Sequence, residues 1–165
     1  MLHMERDVLF CDAHGFRLDA TAVAREIVAF MRADTRYPYK VMIGTDSEAL
    51  ADHSADFVTA IVVHRVGNGG RYFWRRVDSG KFFTLRDRII REVVISLDAA
   101  KEILEELQRE KGETRWSFEI HADIGENGAT KVLMQEVLGM IRGSNFEART
   151  KPESYAASKV ADRYV

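Results

Sequence analysis

Three acidic residues stand where the chain can use a carboxylate: Asp46, Glu92 and Asp123. Asp46 follows the apolar run that opens at Lys40 and closes in Gly44-Thr45-Asp46-Ser47, so it sits near the carboxyl end of an expected inner strand. A poorly solvated carboxylate there needs a donor network, a cation or a metal ion as its partner. The plainer alternative is that Asp46 caps a turn, as Asp and Ser often do. Asp123 ends a second strand-like segment, in which Trp116, Phe118, Ile120 and Ala122 alternate with Ser117, Glu119, His121 and Asp123. Glu92 falls on the edge of the apolar stripe of a predicted helix, one turn from Ser96, while Asp98, Glu102 and Glu105 lie on its opposite side. It is the acid on that helix that can look toward a sheet, or else snorkel to solvent.

Ligands gather at the carboxyl ends of strands in open α/β sheets. If the strands bearing Asp46 and Asp123 are neighbours, these two acids share one edge and Glu92 reaches over them. Three clustered carboxylates cannot all stay ionised without a cation, and hard oxygen donors select Mg²⁺ or Mn²⁺. Two such ions, about 4 Å apart, suit hydrolysis of a phosphodiester by an activated water. Around this set, Lys131 at a helix start suits a scissile phosphate, and His121 suits proton transfer or plain structural hydrogen bonding. Ser47 lacks the context of a nucleophile and Cys11 lacks a paired base, so neither is assigned that role.

The elements that must position these residues follow from hydrophobic periodicity. A first helix is predicted over 22–32, with Val23, Ile27 and Phe30 on one face, preceded by residues 1–20 that carry no clear period. Strands are predicted to begin at Lys40 and to span 56–66 and 71–78, the last two joined by the reversal Gly67-Asn68-Gly69-Gly70. A long helix at 85–111, a strand at 116–123, a helix at 129–142, a short strand at 144–149 and a final helix opening at Lys151-Pro152 complete the order. This is an α/β plan: one mixed five-stranded sheet with the elements βββαβαβα, flanked by helices, plus an extra helix before it. No linker or repeat divides the chain, so residues 1–165 read as one domain with 1–20 as an N-terminal extension.

Composition sets outer limits. The 165 residues include 46% hydrophobic and 30% charged residues, which is the balance of a folded globular chain. No apolar run is long enough to cross a bilayer, and a lone cysteine fits a reducing cytoplasm. The net charge of −2 leaves room only for local contact with nucleic acid. Between Arg65 and Arg91, eight basic residues face two acidic ones, which suggests one positive face; Arg75 belongs to it.

The local wording is also familiar. Ile43-Gly44-Thr45-Asp46-Ser47, Arg91-Glu92-Val93 with Ser96-Leu97, His121-Ala122-Asp123-Ile124-Gly125 and the ending from Lys151 to Asp162 resemble the ribonuclease H-like superfamily. Within it, the chain is most similar to the uncharacterised bacterial YkuK-type family, over about residues 20–165. The resemblance implies that Asp46, Glu92 and Asp123 hold two Mg²⁺ or Mn²⁺ ions, with a fourth acid from the last helix. Asp162 is the best match for that acid, although it lies late in its helix; Glu153 is a weaker one. The implied activity is metal-dependent cleavage of RNA or DNA, with Ser47, His121, Lys131, Lys151 and Arg75 on the substrate side. The alternative is a binding adaptor for nucleic acid or protein that keeps the fold without the catalysis. A third reading, nucleotide chemistry of the actin-like ATPases, needs two such domains where this chain has room for one.

Overall fold

The run that contains Asp46 is an inner strand, as its two-sided apolar pattern requires. The structure is a computed structural model that describes residues 8–110, 115–126, 128 and 130–151, with the backbone alone for 78 and 79. In chain order it forms β1 (Phe10–Asp12), β2 (Arg17–Leu18), α1 (Ala20–Ala33), β3 (Tyr39–Ala49), β4 (Ser54–Arg65) and β5 (Gly70–Lys81). There follow α2 (Leu85–Arg109), β6 (Trp116–His121), a 3-10 turn (Lys131–Leu133), α3 (Met134–Gly143) and β7 (Glu147–Arg149). The final helix expected beyond Pro152 lies outside the described residues.

All seven strands form one sheet in the order β2-β1-β5-β4-β3-β6-β7. The five expected strands are its β3, β4, β5, β6 and β7. The two additional short strands come from the stretch in which no period is legible, and they add to the β5 edge. β3 pairs antiparallel with β4 and parallel with β6, so the sheet is mixed as expected. The reversal between β4 and β5 places Gly67 and Gly69 at φ 85° and 83°, a backbone region that glycine enters without steric cost. α3 begins later than its sequence period suggests, because the 3-10 turn occupies the first residues of that segment.

Val41, Ile43, Ile61, Val63 and Phe73 project from the sheet into one continuous core with α1, α2 and α3. Ile43, Ile61, Ile103 and Ile120 are wholly buried, each contributing roughly 2–3 kcal/mol of apolar burial. Asp19 caps α1 by accepting the Ala22 N–H at 2.8 Å, and Thr84 caps α2 by accepting that of Asp87 at 3.1 Å. Among the described residues, no helix is long and apolar enough to cross a membrane.

Candidate functional site

The register of the parallel pair places the acids. Pairing of β3 with β6 ends at Gly44 opposite His121, so Asp46 and Asp123 each stand two residues beyond the last pair. Asp46 does not end its strand, however: β3 continues against β4 as far as Ala49, with Asp46 opposite Val58. Asp123 lies just past the end of β6, in the chain segment that leads to Gly125.

Glu92 is aimed by hydroxyl groups. Ser96 Oγ donates to Thr45 Oγ1 at 2.7 Å, and Thr45 shares a 2.9 Å hydrogen bond with Thr59. All three side chains are buried, so each hydroxyl must find a protein partner, and the pairing locks the rotation of α2 against β3 and β4. One turn earlier on α2, Glu92 Oε1 accepts the Ser47 hydroxyl at 2.5 Å. The backbone N–H of the same serine donates to Asp46 Oδ1 at 2.9 Å. Ser47 therefore bridges two of the three acids.

The electrostatics of Glu92 join it to the third. Burial pushes its carboxyl from an ordinary 4.5 up to about 8. The nearby carboxylates of Asp46 and Asp123 push the same way, while the Ser47 hydrogen bond and Arg88 oppose them. A proton on Glu92 thus relieves part of the repulsion. An ammonium relieves more: Lys151 Nζ lies 2.9 Å from Asp123 Oδ1. That hydrogen bond raises the lysine's own pKa, with further help from the charges of Asp123 and Asp46. Lys151 is held there by its backbone N–H, which donates to Ile124 O at 2.8 Å. It passes so close to Gly125 that a Cβ on the glycine would sit 3.3 Å from the Lys151 Cβ.

Among the described residues, no three His, Cys, Asp or Glu side chains converge tightly enough to hold a metal ion as they stand. The donor chemistry still suits a hard divalent cation, because Asp46, Glu92 and Asp123 offer only carboxylate oxygen. With Lys151 on Asp123 and a proton on Glu92, the positions of a cation's charge are shared between two smaller ones.

The other sequence candidates are distributed differently. His121 is buried with its Nε2 2.9 Å from Glu119 Oε1, and it lines the small cavity that Glu92 and Asp123 also border. Glu119, with Arg149 Nε at 3.4 Å as a second partner, is held below the usual carboxylate range chiefly by the His121 hydrogen bond. Arg75 is largely covered: its side chain is 12% exposed, pairs with Glu102 at 3.1 Å and lies 4.3 Å from the centre of the Phe10 ring. Much of the expected positive face is spent in the same way. Arg65 and Arg71 lie over Phe30, Arg76 pairs with Asp56, and Arg86 pairs with Glu136. Lys131 is exposed at the start of the 3-10 turn and has no ion pair among the described residues. Asp162 and Glu153 lie outside the described residues. Thr45 and Thr59 are legible as polar residues inside otherwise apolar runs, whereas Glu119 lies in an alternating strand and carries no such signal.

Comparison with known proteins gives the family. A family model described as ribonuclease H-like matches residues 22–165. The protein called "Uncharacterized protein YkuK" of Bacillus subtilis (strain 168) is 34% identical over 172 residues, covering 98% of this chain and 99% of the relative. No solved structure matches the chain.

Proposed function

The chain belongs to the ribonuclease H-like family, and from that premise we propose that it is a metal-dependent hydrolase of phosphodiester bonds in RNA or DNA. Asp46, Glu92 and Asp123 would hold Mg²⁺ or Mn²⁺, with Asp162 as the fourth ligand expected from sequence. The observation that carries this reading is the Glu92 carboxyl, buried beside Asp46 and Asp123 and raised to about 8. A divalent cation there would offset the repulsion that Asp46 and Asp123 add at Glu92, with displacement of the Glu92 proton.

When bound, the divalent ions supply charge neutralisation, lower the pKa of a water and stabilise the leaving oxygen. The chain's own groups prepare for that chemistry. Glu92 would have to give up its proton to serve as a ligand, and Ser47 donates to both Glu92 and Asp46. Lys151 now bonds Asp123, and were a metal to take that carboxylate its ammonium would be available for an anionic oxygen of the phosphodiester. Purified protein with Mn²⁺ is expected to cut at least one of labelled single strands, duplexes, hybrids or branched junctions, and Asp46→Asn is expected to abolish the cutting. A wild-type protein that leaves all four substrates intact refutes the proposal.

A second reading is favoured by the Lys151–Asp123 pair itself, which places a cation of the chain's own beside the acids. In that reading the protein is a nucleic-acid or protein adaptor that needs no metal. Thermal stability that stays unchanged on adding Mn²⁺ would favour it over the hydrolase.

A further inference from the structure

Arg88 lies one helical turn before Glu92 on α2, and on its other side it borders a cleft of about 210 Å³. The cleft opens between the turn joining β3 to β4 and the segment joining β5 to α2. His53, Ser54, Phe82, Phe83, Leu85 and Arg88 line it. Its two arms are fastened together, since the Phe82 N–H donates to His53 O at 2.7 Å. Phe82 packs inward, edge-on to Phe57 with ring centres 5.4 Å apart. Phe83 is thereby turned outward and is 73% exposed. Its ring lies 4.8 Å from that of His53 with the planes 35° apart, so His53 covers one face of Phe83 and the other is left as an exposed aromatic platform. At the edge of this platform, Arg88 Nε is buried with no hydrogen-bond partner among the described residues.

An exposed aromatic platform costs solvation and gains nothing for the core, while an unmet guanidinium N–H beside it asks for an acceptor. The volume matches one flat ring system, given that a cavity of about 150 Å³ accepts benzene. A nucleotide combines both requirements: a π face to stack and a phosphate to meet a guanidinium. We propose that this cleft receives a single unpaired base of a nucleic-acid strand, stacked on the outer face of Phe83, which His53 backs, with Arg88 bonding its phosphate. The neighbouring phosphodiester is then directed along α2 toward Asp46, Glu92 and Asp123.

This deepens the hydrolase reading and rests on it for the meaning of the neighbouring acids. It names the substrate class as single-stranded nucleic acid or an unpaired end, because a base inside a duplex has no free face to offer.

The test is the binding of fluorescein-labelled single strands and blunt duplexes, followed by anisotropy in EDTA so that no cutting intervenes. The wild type is expected to prefer single strands. Phe83→Leu, which keeps an apolar side chain without a π face, is expected to weaken single-strand binding roughly tenfold, and Phe83→Trp to retain it. Both variants should melt like the wild type, because the ring is largely exposed. Undiminished single-strand binding by Phe83→Leu, equal binding of duplexes by the wild type, or no binding of any strand would each overturn the subsite. Cutting in Mn²⁺ is scored separately. Binding through Phe83 without cutting sinks the hydrolase reading and leaves the subsite standing; full cutting by Phe83→Leu does the reverse.

Discussion

Replacing Glu92 by glutamine tests the crowded acids without removing a hydrogen-bond acceptor from Ser47. Glutamine has the shape of a protonated glutamate but cannot ionise. In the wild type, the folded protein keeps the Glu92 proton until about pH 8, whereas the unfolded chain releases it near 4.5. Between those values the unfolded state binds fewer protons, so the stability of the metal-free protein falls as pH rises from 4.5 to about 8. One pKa unit corresponds to about 1.4 kcal/mol, so the whole displacement sets an upper bound of about 5 kcal/mol. Solvent reaches part of the carboxyl and its neighbours share the titration, which reduces the usable effect to about 2 kcal/mol.

Urea denaturation in EDTA at pH 4 and pH 8.5 reads this directly. Glu92→Gln and wild type should be equally stable at the lower pH. At the higher pH the variant should be more stable by about 2 kcal/mol, or about 4–8 °C in thermal midpoint for a chain of this length. Saturating Mn²⁺ should reverse the order at pH 8.5, since the wild type regains a partner for its carboxylate and the variant has none. A stability difference that stays constant across the two pH values would refute the account of a carboxyl held protonated by burial and by Asp46 and Asp123.

Two further outcomes follow from the same geometry. Lys151→Met removes the ammonium from Asp123; because that side chain is 60% exposed, stability should change by less than about 1 kcal/mol, while Mn²⁺ affinity, read by thermal-shift titration, should rise. Unchanged affinity would mean that lysine and metal do not compete for Asp123. Arg75→Met should lower stability by about 1 kcal/mol through loss of its contacts with Phe10 and Glu102, and leave nucleic-acid cutting intact. Loss of cutting at unchanged stability would restore Arg75 to the substrate side.

The local pattern of the chain determined most of the element order. Two-sided apolar runs marked β3 and β4 as inner strands, a glycine-rich reversal joined β4 to β5, and a 3.6-residue period marked α2 with Glu92 on its inner edge. Those signals are readable because they depend on residues a few positions apart. β1 and β2 carry too few residues to show a period; β1 pairs with the edge of β5, and β2 pairs with β1.

Tertiary structure alone decided which charges are free to act. Counting residues between Arg65 and Arg91 suggests a basic face, yet Arg75 and Arg76 meet acids on α2 and β4, while Arg65 and Arg71 meet the Phe30 ring on α1. His121 likewise becomes part of a buried pair, and Lys151, far along the chain, arrives beside Asp123 because β7 runs parallel to β6. Periodicity is a property of neighbours in sequence, whereas pairing of charges is settled by neighbours in space, at sequence separations of tens of residues.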